Sequence, residues 1–399
     1  MTHIKICFVT REYAHDKLGR TGGIGVFLKQ FTQQLKHHNF KITVFSFGST
    51  SVSFDDDGVS VIKIKDLSGF NEWIKSPLRR YKIPGYITIK IVLEYINRFY
   101  ISMYLSLFVQ RRHFDIIEFH DYGGDVPFFI GSPPKVIRCH GSALTLHQFM
   151  GYTNRITDTI FEKKMFRRFY KNVVAVSDYS AQITQKAFQL KKKPSVIYNG
   201  VLLSVNNKIA QDNYLNKPTI NQSIFYFGSV RERKGIDLAC EIFNTIIDKF
   251  PEASFHVLGN NNNNHWNKAA VNILSEKALS RTRYYGAIPN AKIFEYLHKA
   301  HVVIFPSYGE NFSIALLEVM SIGKIAITSK IPAFQEIIEH KVNGFIAGTT
   351  EDYITYISKT FNKKIEVDNI SKNAKTTIEN KFNLIKIVEE NITYYKSLL

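Results

Sequence analysis

Short apolar runs rich in β-branched and aromatic residues alternate with helical patterns along most of the 399-residue chain. This alternation predicts an α/β fold, in which parallel strands are joined by right-handed helical crossovers. In the first half, helices are predicted at 26–36 and 180–189, between strands. The predicted strands of that half are 4–10, 42–47, 59–64, 116–119, 136–139, 173–176 and 196–198.

A polar segment at 201–222 interrupts this pattern, and we predict an interdomain linker there. A second series follows, with strands at 224–227, 254–258, 302–305 and 325–328 and helices at 236–249, 291–299, 313–321 and 333–339. Because one hydrophobic core rarely organises so long a chain, two domains are expected.

The predicted architecture is two Rossmann-like domains facing a central cleft. The first domain covers residues 1–203 and the second covers 204–383, while a C-terminal helix at 384–399 is expected to pack back against the first domain. Ligands of such sheets bind at the carboxyl ends of the strands, where loops lead into helices. These loops are therefore the first places to search for functional residues.

Basic residues outnumber acidic ones, 52 to 34, which gives the chain a formal net charge of +18. Such a charge attracts nucleic acid, an anionic membrane surface or phosphorylated small molecules, and it is equally typical of a Lys-rich solubilising surface. The sequence shows no recognition helix, aromatic RNA motif or zinc site, so nucleic acid is not an expected partner.

Several features favour a cytoplasmic protein. The three cysteines lie far apart, which is typical of a reducing compartment. The N-terminus lacks the apolar core and the cleavage site of a signal peptide. No uninterrupted apolar run of about 18 residues is present, so no spanning helix is expected.

The longest apolar stretch, 87–108, is interrupted by polar residues such as Lys90 and Glu94. Its apolar positions follow helical spacing, which predicts one broad stripe on an amphipathic helix. Together with the basic residues at 75–112, this helix could rest on an anionic leaflet at the inner face of a membrane, or pack against its own domain. The sequence leaves both alternatives open.

Residues 305–318, FPSYGENFSIALLE, combine the end of a buried strand, a Pro/Gly loop and the start of a helix. The amides at 311–315 can hold a diphosphate with help from the helix dipole. Glu310 and Glu318 flank this anion site. Carboxylates beside a phosphate are costly unless they accept hydrogen bonds, for which the hydroxyls of a ribose or hexose are suitable donors. The spacing alone is also typical of two surface glutamates.

A basic loop follows the first strand of the second series. Residues 227–235, FGSVRERKG, place Arg231, Arg233 and Lys234 directly before a helix. Such cations could neutralise the charge of a departing diphosphate. A solvated basic turn is the structural alternative.

Two loops of the first series are also candidates. Residues 21–26, TGGIGV, contain glycines that let a backbone approach a phosphate, although no complete P-loop or dinucleotide fingerprint is present. Residues 138–141, RCHG, end a strand at His140, which could point into a cleft or be a structural histidine.

Taken together, these segments resemble the retaining glycosyltransferases of family four, which have the two-domain GT-B fold. The stretch PSYGENFSIALLEVMSIGKIAITSKIPAFQEII is similar to the family's Glu-x7-Glu region and the sequence after it. The motifs GGIGVF, HG, VSDYS, YNGV and RKG occur in the expected order along nearly the whole chain. The resemblance implies a first domain on the acceptor side and a second domain that binds a nucleotide sugar.

The resemblance also implies a reaction. A sugar would move from a UDP- or GDP-linked donor to a hydroxyl of a glycan, a lipid-linked or another acceptor, in the synthesis of cell-surface polysaccharide or glycoconjugate. No cofactor and no metal would be required. The acceptor would attack the face of the sugar that the diphosphate leaves, through an oxocarbenium-like state.

The roles of individual residues follow from the same resemblance. Lys234 would contact the diphosphate, Glu310 would bind donor-sugar hydroxyls, and Glu318 would bind the ribose. His140 would lie near the reacting carbon. The implied donor-binding residues are Gly22, Gly23, Arg231, Arg233, Lys234, Glu310, Asn311, Phe312, Ser313, Ile314 and Glu318, and the implied catalytic residues are His140, Lys234 and Glu310.

One position departs from the family pattern. Family members usually have arginine directly after the glycine of the basic loop, where this chain has Ser229. Arg231 or Arg233 could supply the missing charge, and the sequence does not decide between them.

Three rival functions remain. Residues 55–57, DDD, match the Asp-x-Asp of metal-dependent glycosyltransferases of the other major fold, but they lie in a polar segment between strands, and we interpret them as an acidic turn. A nucleotide-sugar epimerase would share the GT-B fold. The positive charge would also suit a non-catalytic module that binds anionic lipid or nucleic acid.

Overall fold

The computed structural model describes residues 3–19, 21–203, 219–261, 264–363 and 366–399. The chain forms two compact units, whose boundaries fall between Tyr198 and Asn199 and between Lys386 and Ile387. The predicted linker lies mostly at 204–218, outside the described residues, and the predicted boundary at 203/204 stays a prediction.

The first unit contains one sheet, which is parallel except for an antiparallel pair at one edge. Its described strands are β1 (Ile4–Val9), β2 (Phe40–Gly48), β3 (Val52–Asp56), β4 (Val59–Lys65), β5 (Ile116–His120), β6 (Lys135–Cys139), β7 (Val173–Ala175) and β8 (Ser195–Val196). They are arranged in the order β3-β4-β2-β1-β5-β6-β7-β8, and β3 and β4 form the antiparallel pair.

Helices connect these strands. They are α1 (Gly23–Leu35), α2 (Ser68–Arg80), α3 (Tyr86–Arg112), α4 (Ala143–Met150), α5 (Ile156–Phe169) and α6 (Asp178–Phe188). The helix predicted at 87–108 is confirmed as α3. Its predicted apolar stripe faces outward, because a different face of the helix, with Ile101, Leu105 and Val109, enters the core.

The second unit contains a wholly parallel sheet. Its described strands are β9 (Ser223–Phe227), β10 (Ser254–Leu258), β11 (Thr282–Gly286), β12 (Val302–Phe305), β13 (Ile325–Ser329) and β14 (Phe345–Ala347). Their order is β11-β10-β9-β12-β13-β14. The predicted α/β class with parallel sheets in two domains is confirmed.

The helices of the second half lie between and after these strands. They are α7 (Ile236–Lys249), α8 (His265–Ile273), α9 (Glu276–Ser280), α10 (Asn290–Leu297), α11 (Ile314–Ser321), α12 (Pro332–Gln335), α13 (Thr350–Phe361), α14 (Val367–Lys381) and α15 (Leu384–Lys396). The helix predicted at 333–339 was too long. Beyond Gln335 the buried Asn343 side chain bonds the backbone of Ile337 and Glu339 and holds a turn instead.

Most of α15 belongs to the first unit, where it meets a buried ion pair. Arg138 on β6 donates from Nε and Nη2 to the carboxylate of Glu118 on β5, at 2.6 and 3.0 Å. The same guanidinium donates to Asn391 Oδ1 at 2.6 Å, and the hydroxyl of Tyr395 donates to Glu118 at 2.7 Å. All four side chains are buried, so the sheet and the helix share one polar network inside the core.

Each sheet has a point where the strand order reverses. In the first unit this point lies between β1 and β5, and in the second it lies between β9 and β12. The chain segments that follow the two strands at this point run in opposite directions along the sheet. The loops at the carboxyl ends of these strands therefore diverge and leave a crevice for a ligand. The strand order thus selects two pairs of loops as candidate sites.

Among the described residues, none of the helices combines the length and the apolar character needed to span a bilayer.

Candidate active site

Two loops meet at the crevice of the second unit: residues 228–235 after β9 and residues 306–313 after β12. The N–H of Tyr308 donates to the carbonyl of Arg233 at 2.9 Å, and Arg233 Nη1 donates to the carbonyl of Gly309 at 2.7 Å. Gly235 has a φ of 71°, and a Cβ there would lie only 1.9 Å from the carbonyl oxygen of Pro306. A glycine is therefore required for the loops to approach so closely.

This approach brings opposite charges together around Glu310. Its buried carboxylate forms an ion pair with Lys234 and accepts a hydrogen bond from Ser307 Oγ at 3.1 Å. Arg233 Nη1 lies 3.6 Å from the other carboxylate oxygen. Burial lowers the pKa of Lys234, and the charge of Glu310 opposes this shift. A compact cluster of two cations and one anion thus lies at the ends of β9 and β12.

The two candidate arginines differ in position. Arg233 is half-buried and contacts both Gly309 and Glu310, whereas Arg231 is exposed at the start of the short turn before α7. Ser229, which occupies the usual arginine position, accepts a hydrogen bond at its carbonyl from the hydroxyl of Tyr226 at 2.9 Å.

The start of α11 lies directly after Glu310. The helix begins at Ile314, one residue later than predicted, because Ser313 is its N-cap and its Oγ accepts the N–H of Leu316 at 3.3 Å. Asn311 and Ser313 are buried, and the ring of Phe312 packs on Phe382 with centroids 5.7 Å apart. The positive end of the helix dipole is therefore held next to the charge cluster.

Glu318 lies on α11, one turn further on. Its side chain is half-buried, and removal from water raises the pKa of its carboxyl group to about 7. Burial alone causes this shift in the pKa of Glu318. A carboxylate in such surroundings gains most from hydroxyl donors on a ligand.

In the first unit, the loop after β1 leads into the glycine-rich start of α1. The N–H of Gly22 donates to Glu12 Oε2 at 3.0 Å. Gly22 and Gly23 are exposed, while Gly25 is buried and a Cβ on it would lie 2.0 Å from Thr21 Oγ1. The first two glycines therefore leave the backbone accessible, and the third permits close packing.

His140 follows β6 and belongs to a pair of histidines. Its ring makes an edge contact with that of His120, with centroids 4.7 Å apart, and Thr10 Oγ1 lies 3.2 Å from His120 Nδ1. Burial lowers the pKa of His120 to about 4 and holds the pKa of His140 well below its usual range. Both rings are therefore neutral at neutral pH.

Asp121 holds the backbone at His140. Its carboxylate accepts the N–H groups of His140 at 2.9 Å and Gly141 at 3.1 Å. Burial, and then the charge of Glu162, raise the pKa of Asp121 to about 8. Sequence reasoning missed Glu12, His120 and Asp121; polar residues at the end of a buried strand, as in EFHD, were the available signal.

The acidic triplet at 55–57 lies at the hairpin between β3 and β4, and each member has a protein partner. Asp56 lies 3.3 Å from Lys29 Nζ, Asp57 lies 2.6 Å from Lys36 Nζ, and Asp55 accepts the N–H of Gly58 at 2.7 Å. Within the described parts of the chain, no group of three or more His, Cys, Asp or Glu side chains is placed to hold a metal ion.

The chain has two units with mainly parallel sheets, and each unit has candidate binding loops where its strand order reverses. This arrangement is typical of the GT-B class. A model of the family described as "Glycosyltransferase Family 4" matches residues 21–205, and one described as "Glycosyl transferases group 1" matches residues 207–377. Together the two models cover most of the chain, which therefore belongs to the family-four glycosyltransferases.

Individual relatives and solved structures that are similar to this chain are consistent with this family and fold. A phosphatidyl-myo-inositol mannosyltransferase of Mycobacterium tuberculosis is 24% identical over 192 residues, 47% of this chain and 48% of that protein, so the match spans about half of that relative's length. Sucrose-phosphate synthase from Thermosynechococcus elongatus has a TM-score of 0.74 at 15% identity, over 99% of each chain. Anabaena HepE, in complex with UDP, has a TM-score of 0.70 at 17% identity, over 99% of this chain and 100% of that one.

Proposed function

We propose that this enzyme is a retaining glycosyltransferase that transfers a sugar from a UDP- or GDP-linked donor to a hydroxyl of a glycan or lipid-linked acceptor, in the synthesis of cell-surface polysaccharide or glycoconjugate. The observation that carries the proposal is the cluster of Arg233, Lys234 and Glu310 at the start of α11. It offers cations and helix-start amides for a diphosphate and a carboxylate for sugar hydroxyls, side by side.

Lys234 is the principal group for the leaving diphosphate. In the structure its ammonium group neutralises Glu310. A bound diphosphate would share that ammonium, while Glu310 would accept hydrogen bonds from the donor sugar. Because negative charge grows on the diphosphate as the glycosidic bond breaks, the attraction to Lys234 would be strongest in the transition state.

Arg233 would take the place of the arginine that is missing at Ser229. It already lies beside Glu310, whereas Arg231 lies on the exposed rim and would contribute through longer-range attraction. The amides at 311–314 would bind sugar and phosphate oxygens, and Glu318 would bind the ribose. These cations would replace a metal ion, and activity is expected to persist in excess EDTA.

The first unit would supply the remaining donor contacts. The exposed backbone at Gly22 and Gly23 would approach the phosphate, and His140 would contact the sugar near the reacting carbon. A neutral imidazole suits this place, because it can form hydrogen bonds without adding positive charge next to an oxocarbenium-like carbon.

Donor screening and product stereochemistry test the proposal. We expect one nucleotide sugar to stabilise the protein by about 2.7 kcal/mol when present at about 100 times its dissociation constant. The anomeric configuration of the transferred sugar, measured by NMR, should match that of the donor. An inverted product contradicts the mechanism, and a donor converted to its epimer without transfer to an acceptor indicates an epimerase.

The raised pKa of Glu318 gives the donor site a pH dependence. Hydroxyl donors favour the ionised carboxylate, so affinity for a nucleotide sugar should be full above about pH 7 and should fall as protonation increases below it, by up to about tenfold per pH unit. Calorimetric titration between pH 6 and pH 8 measures this, because the diphosphate diester keeps its charge over that range.

Two variants test whether the pH dependence of the affinity arises from Glu318. Glu318→Gln should bind more weakly than the parent at pH 8 and should lose the pH dependence, whereas Glu379→Gln, an exposed change on α14, should keep it. A parent protein whose affinity does not change over this range would show that Glu318 does not bind the ligand.

A further inference from the structure

The helical hairpin formed by α2 and α3 is fixed to the first unit by buried charges. Arg98 is almost fully buried, and its guanidinium donates to Glu94 at 2.6 Å, to Asp158 at 2.9 Å and to the carbonyl of Gly123. Lys75 on α2 bonds Glu94 on α3 at 3.0 Å. These contacts hold the two helices together in a defined position.

The outer face of α3 is apolar although it is exposed. Its inner face packs into the core through Ile101, Leu105 and Val109. The opposite face presents large side chains that are each at least one-third exposed, namely Val92, Tyr95, Ile96, Phe99, Tyr100, Tyr104 and Leu107. A continuous apolar stripe of this size on a folded surface indicates a binding surface.

Exposed apolar side chains are also present on α2 and at the tip of the hairpin. Trp73 is 74% exposed and Phe70 is 58% exposed, with their rings stacked 6.0 Å apart. At the tip, a groove of about 380 Å³ is formed mainly by apolar atoms of Leu78, Ile83, Tyr86 and Ile87, with Arg79 and Lys82 in its walls.

Positive charges predominate around this surface. Between residues 68 and 112 the only acidic residues are Glu72 and Glu94, and both are ion-paired with Lys75. The basic residues Arg79, Arg80, Lys82, Arg111 and Arg112 are exposed at the two ends of α3. Apolar and aromatic side chains between cations are complementary to the headgroup region of an anionic bilayer.

We propose that the α2–α3 hairpin docks on an anionic lipid bilayer. The helix α3, 27 residues and therefore about 40 Å long, would lie in the plane of the interface with its aromatic stripe among the headgroups. Arg79, Arg80 and Lys82 would contact lipid phosphates, and the groove at the tip would receive acyl-chain carbons. Docking would place the enzyme where lipid-linked acceptors are found.

Vesicle sedimentation with the full chain tests this proposal. The protein should bind vesicles of phosphatidylcholine mixed with phosphatidylglycerol, should bind phosphatidylcholine vesicles far less, and should dissociate as salt is raised. Docking needs neither donor nor acceptor, so its failure would leave the proposed reaction untouched.

Two sets of substitutions separate charge from apolar contact. The triple variant Arg79→Glu, Arg80→Glu and Lys82→Glu should weaken binding by at least about 100-fold, because three cations near the surface are replaced by three anions. Phe70→Ser with Trp73→Ser should weaken it at any salt concentration. Two matched control variants in the second unit should bind vesicles like the parent. The charge control combines Lys249→Glu, Lys292→Glu and Lys372→Glu, and the apolar control is Leu279→Ser.

Three results would overturn the proposal. Equal binding to neutral and anionic vesicles would show that charge does not drive docking. Full binding by the hairpin variants would show that this surface does not contact the bilayer. A dimer that light scattering detects in the parent and not in the Phe70→Ser, Trp73→Ser variant would show that a second copy of the chain covers this face. Circular dichroism of each variant confirms that it is folded.

Discussion

Lys234→Ala should lower turnover roughly 30- to 1,000-fold, which corresponds to a loss of about 2–4 kcal/mol of transition-state stabilisation. Lys234 is the cation closest to Glu310, and in the proposed mechanism it stabilises the charge that develops on the leaving diphosphate. Turnover at saturating donor is the quantity to measure, because the effect is expected mainly in kcat.

Two controls distinguish catalysis from folding. Lys292→Ala, an exposed lysine on α10, should leave turnover within about twofold of the parent, as expected for a surface change. Lys234→Arg keeps the charge and should recover part of the activity, although its shape differs. If Lys234→Ala is folded and turns over at the parent rate, the assignment of Lys234 is wrong.

The second large effect concerns stability. Glu118→Ala should reduce the free energy of unfolding by about 3–5 kcal/mol, because it leaves the guanidinium of Arg138 buried without its counter-charge. Urea unfolding of the full chain, followed by a signal from the first unit, measures this loss. The remaining bond from Arg138 to Asn391 cannot replace a carboxylate.

A surface ion pair provides the comparison. Glu252 lies 2.8 Å from Arg281 but is largely exposed, so Glu252→Ala should cost no more than about 1 kcal/mol. Replacing both buried partners, with Glu118→Leu and Arg138→Met, should recover much of the stability because no charge is then stranded. A single Glu118→Ala variant as stable as Glu252→Ala would contradict this account.

Most strands of both sheets could be predicted because strands buried on both faces are continuous apolar runs, such as VVIF at β12. Several helices could not. The helix α5 has polar residues over much of its surface and buries only one face, so its pattern is weak without knowledge of its neighbours. The strands β3, β11 and β14 were not predicted: β3 and β11 contain no buried residue, and the three residues of β14 depend on pairing with β13.

The candidate site was predicted in part. The loop motifs identified Lys234 and Glu310 separately, but their contact spans 76 residues and arises from the position of β9 beside β12. His120 belongs to none of the matched family motifs, and its position beside His140 becomes visible only in the ring contact. The Glu118–Arg138 pair was missed for a similar reason, since strands rarely signal a buried charge in their sequence.

The network around Arg138 has a consequence for biosynthesis. Asn391 follows Arg138 by 253 residues, yet its side chain helps to satisfy that buried guanidinium. A nascent chain emerges from the ribosome N-terminus first, so the polar core at β5 and β6 stays incomplete until the 253 residues from Arg138 to Asn391 have been synthesised. Translation that stops before Asn391 should therefore yield a fragment that is prone to aggregation and proteolysis even though most of the first unit has been made.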